Sequence, residues 1–389
     1  MSDTAADVRA PARRAAGMPR SAIREIMALA AGRPEVIHLE VGEPDHGTPD
    51  HIIEAAFQAA RDGFTRYTAN NGLPGLRELI ARRQQARTGL PCTADQVVVT
   101  VGAVGALYTA LMSVMDAGDE ILLPDPGWPN YEAIVRLGDG VPVRYRLDPD
   151  NGFLPDIDEI SRAVTPRTKA IMINSPGNPT GAVFPRELMD ALGKLASRTG
   201  LYVISDEIYE DILFDGLAHV SAYETVPPDR VLIVSGVSKS YAMTGWRLGH
   251  LICPPDLVGL PIKLQEPIVS CASAISQKAA EAALSGPQDI VEDGRKIFQR
   301  RRDILVEVFA DSPALPVRPK GAFYGLVRIP SDAASGLDFA KRFLVEENVA
   351  TVPGETFGEV TSRFVRVAFT CSDDDLRAGL TKLRRFLEK

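Results

Sequence analysis

The chain has 389 residues, of which 45% are hydrophobic, with a formal net charge of −8 and a pI near 5.3. That length and apolar content support more core than one domain usually carries, so two domains are expected. The acidic balance argues against a general nucleic-acid binder and against docking on an anionic membrane surface, since phosphate groups are neutralised by a basic face.

The N-terminal stretch of residues 1–20 is rich in Ala and Arg but lacks an apolar signal core, and it reads as a flexible arm. The run "VIHLEV" at 36–41 follows, read as a segment joining the smaller domain. Residues 96–115, "QVVVTVGAVGALYTALMSVM", carry no charge over a length that could span a bilayer. Their character changes at Gly102: Val97–Val101 is a β-branched run, whereas Leu107, Leu111, Val114 and Met115 recur at helical spacing, so a strand, a turn and a helix are expected. Short apolar runs at 120–124, 170–174, 201–205, 231–235 and 250–254 alternate with helical stretches such as 186–200. This grammar predicts an α/β fold with a mostly parallel sheet covered by helices on both faces. From about residue 290 a charged helix, further strands and a last helix at 373–389 predict a smaller α+β domain. The expected boundaries are 46–288 for the large domain and 1–45 with 289–389 for the small one. Cys92, Cys253, Cys271 and Cys371 form no CxxC pair and no metal-ligand spacing, which points to reduced thiols in a cytoplasmic protein with no metal site. The histidines, His38, His46, His51, His219 and His250, show no ligand spacing either and read as structural.

In open α/β sheets ligands gather beyond the carboxyl ends of the strands. Three successive runs end in polar groups: 170–174 leads to Asn178, 201–205 to Asp206 and Tyr209, and 231–235 to Lys239. A desolvated lysine can form a Schiff base with an aldehyde. A carboxylate such as Asp206 can keep a pyridine nitrogen protonated. Asn178 and Tyr209 can hydrogen-bond a ring hydroxyl, and Trp128 in "DPGWPNY" offers a flat face for stacking. This set suits pyridoxal 5′-phosphate. The turn "VGAVGAL" at 101–107 opens a helix whose first N–H groups favour an anion, and Arg247 with Ser238 can complete a phosphate cup. The turn lacks both the full G-x-G-x-x-G pattern and a P-loop lysine, which disfavours a nucleotide enzyme.

Together, "VGEPDHGTP" (41–49), "RYTANNGLPGLRELI" (66–80), "NSPGNPTG" (174–181), "SDEIYEDILF" (205–214), "SKSYAMTGWRLGH" (238–250), "PKGAFYGL" (319–326) and "RFVRVAF" (363–369) resemble the class I/II aminotransferase family of fold-type I pyridoxal-phosphate enzymes over nearly the whole chain. The resemblance implies that Lys239 is the Schiff-base lysine that also moves a proton between the substrate α-carbon and the cofactor. It implies that Asp206 pairs with the pyridine nitrogen, that Asn178 and Tyr209 hold the ring hydroxyl, and that Trp128 stacks. Arg247 and the amides of Ala103 and Val104 would bind phosphate. Arg366 would fork onto the substrate α-carboxylate, beside Gly42 and Asn178. It is preferred to Arg363 because it lies within an apolar run and needs an anionic partner there. Tyr67 would reach the phosphate of a neighbouring subunit, implying a homodimer with shared sites.

The expected activity is transfer of an amino group from an L-amino acid to a 2-oxo acid. The alternatives are a C–S or β-eliminating lyase on the same fold and, more remotely, a non-catalytic effector-sensing regulator, for which no basic DNA-binding module is seen. Two departures stand out. Gly236 replaces a hydroxyl three residues before the lysine, with Ser235 one step earlier, and Val104 stands where some dicarboxylate-using relatives have lysine. The segment "QEPIVSCAS" offers no arginine for a second carboxylate, though one could come from elsewhere in the chain, for example Arg20 or Arg24.

Overall fold

The computed structural model describes residues 11–18 and 22–388; most of the expected N-terminal arm, including Arg20, lies outside the described residues. Among those described, the central sheet has eight strands, in the spatial order Val97–Thr100, Gly249–Ile252, Val231–Gly236, Tyr202–Asp206, Thr168–Asn174, Glu120–Asp125, Val141–Asp148 and Leu154–Pro155. The five from Val231–Gly236 to Val141–Asp148 run parallel to their neighbours. Gly249–Ile252 is antiparallel to the strands on both sides of it, and Leu154–Pro155 is antiparallel to Val141–Asp148. The mostly parallel sheet expected from the apolar runs is therefore present.

Alternation along these strands sends successive side chains to opposite faces. Val97, Val99, Ile171, Ile173, Val203 and Ile233 enter a core with Leu76 and Ile80 of helix Pro74–Thr88 and Met189, Leu192 and Leu195 of helix Arg186–Thr199. Val98, Ala170, Met172, Ile204, Leu232 and Val234 enter another with Leu107 and Leu111 of helix Gly102–Val114 and Ile134 of helix Pro129–Leu137. A strand apolar on both faces cannot tolerate charge on either, which is why these runs were legible as buried strands. The strand Val141–Asp148 was not foreseen: "VPVRYRLD" mixes arginines with apolar residues near the sheet margin and is only partly buried.

The third core draws on both ends of the chain. Ile37–His38 pairs with Val349–Ala350 in parallel. Tyr324–Arg328, Phe364–Ala368 and Val352–Pro353 form an antiparallel sheet, with Phe364–Ala368 in the middle. Helices Asp289–Val308, Gly336–Glu347 and Asp373–Leu387 cover these strands, bringing Phe298, Phe343 and Phe386 into contact with the core. Ile208, Tyr209, Ile212 and Phe214, which follow the strand Tyr202–Asp206, also enter this core. The carboxyl ends of the parallel strands thus face the smaller sheet, and a cleft forms between them. No helix among the described residues is long and apolar enough to cross a membrane, and the uncharged stretch 96–115 divides into strand and helix as expected.

The turn between Val97–Thr100 and Gly102–Val114 is pressed against the strand Gly249–Ile252. A Cβ on Gly249 would lie 2.4 Å from the amide nitrogen of Ala103 and 2.5 Å from the carbonyl carbon of Gly102. Backbone cannot yield as a side-chain tip can, so Gly249→Ala is expected to cost about 1–3 kcal/mol. Urea unfolding should show this as a lower midpoint at unchanged slope; an unchanged midpoint would mean the turn is not held by this contact.

Candidate active site

The strands Thr168–Asn174, Tyr202–Asp206 and Val231–Gly236 are direct neighbours, with Asn174 in register with Asp206 and Asp206 with Val234. Their carboxyl ends open into a cavity of about 630 Å³ lined by Asn178, Asp206, Tyr209, Ser238, Lys239 and Arg366, among others. The residues singled out in four separate motifs therefore meet. Asn174 ties two of these ends together: its Nδ2 donates to the Asp206 carbonyl at 2.9 Å, while its Oδ1 accepts from the Asn178 amide at 2.8 Å.

Lys239 Nζ donates to the Gly42 carbonyl at 2.7 Å. Burial lowers its pKa to about 8: the Glu43 carboxylate opposes that shift, while the charges of Arg366 and Arg247 reinforce it. Asp206 moves the other way. Loss of water raises its carboxyl to about 6, although the Tyr131 hydroxyl, 2.7 Å away, and the Ile208 amide both donate to it. A cationic N–H brought beside Asp206 would supply the countercharge that burial makes valuable. An amine and a carboxylate with their pKa values displaced toward neutrality in one cleft are poised for proton transfer near physiological pH.

Arg366 anchors another wall. It is 3% exposed, its Nη2 donates to the Glu40 carbonyl at 2.7 Å and its Nη1 to Asn178 Oδ1 at 3.1 Å. The Tyr324 ring centroid lies 4.4 Å from the guanidinium carbon and that of Phe357 lies 5.0 Å away. Its Nε has no hydrogen-bond partner among the described residues, and burial lowers its pKa despite opposing contributions from Tyr324, Tyr209 and Glu40. A buried guanidinium bonded only to neutral oxygens, with one donor unmatched, has the chemistry of a carboxylate receptor. Arg363, by contrast, donates to the carbonyls of Ala333 and Pro330.

The turn that opens helix Gly102–Val114 has the donors for an anion. Gly102 adopts a φ of +68°, and the first turn of helix Gly102–Val114 carries no acidic residue and no side-chain cap. Arg247 lies against it: a Cβ on Gly102 would be 2.6 Å from Arg247 Nη2. Arg247 is itself left-handed, with a φ of +53°, and its Nη1 donates to the Thr244 carbonyl at 3.1 Å. Ala103, Val104 and Ser238 share this lining, as does Trp128, whose ring meets Tyr131 edge-on at 5.6 Å. Residues and volume thus fit a pyridine ring carrying a phosphate, with a cation-seeking carboxyl at one end and anion donors at the other.

Tyr67 lies outside this lining and is 88% exposed. Ser235, one step before Gly236, donates to Glu210 Oε1 at 3.1 Å in a buried ionic network. There Arg87 pairs with Glu210 and Asp211, and Arg83 with Asp211. Among the described residues, Glu207, Glu210 and His219 bring ligand-type atoms within 4.8 Å of one another. These atoms are engaged internally. Glu207 Oε1 accepts from Ser205, Ser221 and the Ala222 amide, and Oε2 lies 2.9 Å from His219 Nε2. Burial disfavours the charged imidazole, but Glu207 outweighs this and raises its pKa. Sequence reasoning missed Tyr131, Tyr324 and Asn174. Tyr324 bonds Tyr209 hydroxyl to hydroxyl at 3.0 Å, and a Cβ on Gly42 would lie 2.4 Å from the Tyr324 hydroxyl. That contact explains why position 42 is a glycine.

Residues 34–383 match the family model for aminotransferase class I and II. The aspartate aminotransferase of Geobacillus stearothermophilus is 39% identical over 368 residues, spanning 92% of this chain and 93% of the relative. The aspartate/prephenate aminotransferase of Thermus thermophilus is 38% identical over 356 residues, spanning 91% of each. The structure of Thermus thermophilus aspartate aminotransferase with maleate superposes with a TM-score of 0.91 at 37% identity, covering 97% of this chain and 100% of that one. The chain belongs to the class I and II aminotransferases and is an aminotransferase with the fold-type I architecture, in a family of pyridoxal-phosphate enzymes.

The lowered pKa of Lys239 carries a sign. Only the neutral amine attacks an aldehyde, and its fraction grows as pH rises through about 8. Cofactor-stripped protein mixed with pyridoxal phosphate should develop a visible absorption band at a rate that climbs with pH and is half-maximal near pH 8. A rate still rising beyond pH 10, about the unperturbed lysine value, would show that the amine is not desolvated.

Proposed function

We propose that the chain moves the amino group of an L-amino acid to a 2-oxo acid on pyridoxal phosphate held between the large sheet and the smaller one. The observation that carries this reading is Arg366, a buried guanidinium with no carboxylate of the described residues bonded to it, in the same cavity as the partly desolvated Lys239. When bound, the cofactor supplies an aldehyde and a protonated ring that withdraws electrons from the substrate α-carbon.

The chain supplies the rest. Asp206, steadied by Tyr131, holds a proton at the pyridine nitrogen. Tyr209 and Asn178 hold the ring hydroxyl, and Tyr324 fixes the Tyr209 hydroxyl. Ala103, Val104, Ser238 and Arg247 hold the phosphate, and Trp128 covers a ring face. Arg366, with Asn178 and Gly42 beside it, orients the α-carboxylate so that the α-hydrogen lies within reach of Lys239. Lys239 Nζ would hold the cofactor through its aldehyde carbon, and as the amine nearest the substrate it would take up and return the α-proton. Its pKa of about 8 leaves it able both to accept and to release that proton near neutral pH.

The relatives bear aspartate, and in one case also prephenate, in their names, so aspartate is the donor to assay first. We further propose a homodimer in which the exposed Tyr67 reaches the phosphate site of the neighbouring subunit. A cytoplasmic location is consistent with four unpaired cysteines.

Lys239→Ala should abolish both the visible band and amino transfer while the protein still folds. Arg366→Lys keeps the charge but loses the planar fork. With charge-assisted bonds worth about 1.5–3 kcal/mol each, kcat/KM should fall by about two orders of magnitude for every α-amino acid. A band that survives Lys239→Ala, or an Arg366→Lys enzyme with wild-type kcat/KM, would overturn these roles.

A further inference from the structure

We infer that Tyr324 is a positioning residue that joins the α-carboxylate receptor to the cofactor ring: its face holds the Arg366 guanidinium, and its hydroxyl donates to Tyr209, leaving the Tyr209 proton for the ring hydroxyl. This rests on the proposed function, because the direction of donation follows from Tyr209 holding that hydroxyl.

The backbone brings the two tyrosines together although they lie 115 residues apart. Tyr324 opens the strand Tyr324–Arg328, and the residues just before it are stitched to those that follow Tyr209. The Ala322 amide donates to the Ile212 carbonyl at 2.9 Å, the Phe214 amide donates to the Lys320 carbonyl at 3.0 Å, and Leu213 bridges Gly321. The Tyr209 and Tyr324 rings meet edge-on, with centroids 5.8 Å apart. Within the smaller sheet Tyr324 pairs with Ala368 and Leu326 with Arg366. Arg366 and Tyr324 are therefore diagonal neighbours on one sheet face, a separation that aromatic and long side chains span. The guanidinium carbon lies 4.4 Å from the Tyr324 ring centroid, a contact worth most where water is excluded.

The hydroxyls set the order of donation. Both tyrosines are buried, both line the cavity, and their oxygens lie 3.0 Å apart, a bond in which either can donate. Each phenol has one proton to give. With the Tyr209 proton committed to the cofactor, only Tyr324 can donate across the pair, and a hydroxyl that accepts one hydrogen bond donates the next more strongly. The N-terminal segment confines the Tyr324 hydroxyl as well: a Cβ on Gly42 would lie 2.4 Å from it but 3.3 Å or more from the ring carbons. Asn178, which accepts from Arg366 Nη1 at 3.1 Å, connects the same two sites by another route, so loss of the Tyr324 hydroxyl should weaken the site rather than empty it.

The test uses holoenzyme. Tyr324→Phe keeps the ring face and removes the hydroxyl: the cofactor dissociation constant should rise about fivefold, while KM for the amino donor stays within about twofold of wild type. Tyr324→Leu removes both, so KM should rise about tenfold as well. Gly42→Ala displaces the hydroxyl and should weaken cofactor retention about as much as Tyr324→Phe. Combined, the two changes should cost less than about twofold more than Tyr324→Phe alone, because the phenyl ring no longer carries the atom that meets the new methyl group. Tyr324→Phe and Gly42→Ala each alter one small group, so the test stands even where Tyr324→Leu fails to fold. Cofactor held as tightly by Tyr324→Phe as by wild type, a KM that rises with the lost hydroxyl alone, or penalties that add in the double variant overturn the assignment and leave the transferase reading standing. A wild type that transfers from no amino acid fails the parent reading, and this inference with it.

Discussion

A guanidinium buried among neutral groups is costly, and the cost of desolvating one ion without an opposite charge runs to several kcal/mol. Arg366 is such a group, and much of the molecule is arranged around it. Its contacts come from four distant places: the Glu40 carbonyl from the N-terminal segment, Asn178 from beyond a strand of the large sheet, and the rings of Tyr324 and Phe357 from the smaller sheet and its connections. Each offers a dipole or a π face, and none offers a bonded carboxylate. The chain therefore joins its ends and its middle at a point that favours an incoming anion.

Lys239 and Asp206 answer to the same low-dielectric environment. Burial pushes the amine down and the carboxyl up, so each stands closer to neutrality than it would in water. The groups around them moderate the shifts: Tyr131 donates to Asp206, and Glu43 sustains charge on Lys239. The ionic cluster of Arg83, Arg87, Glu210 and Asp211 plays another part, pairing its charges with one another and taking up the Ser235 hydroxyl.

The parallel strands were legible because a run apolar on both faces has few alternatives, and several candidate site residues were legible because they follow such runs. Asn178, Asp206 and Lys239 could be named before their strands were known to be neighbours. Tyr131 could not, since on the helix Pro129–Leu137 it reads as one more core aromatic; only the approach of its hydroxyl to Asp206, 75 residues away, reveals its role. Tyr324 was hidden likewise among core aromatics, and Asn174 as the last residue of a buried strand. The partly exposed strand Val141–Asp148 escaped because arginines interrupt its apolar pattern. Arg366 and Arg363 separate on a physical argument: the first lies within an apolar run and lines the cavity, whereas the second reaches the backbone carbonyls of Pro330 and Ala333.

The central claim is that Lys239, Asp206 and Arg366 form one centre that moves an amino group rather than eliminating one. Its most direct test is a single half-reaction: concentrated holoenzyme mixed with one L-amino acid and no 2-oxo acid, with oxo-acid product, ammonia and the aminated cofactor all quantified. The account predicts one equivalent of 2-oxo acid per chain, an equal amount of aminated cofactor, no free ammonia, and further turnover only after an oxo acid is added. Continuous release of ammonia without an acceptor, or product formation with no conversion of the cofactor, would contradict it.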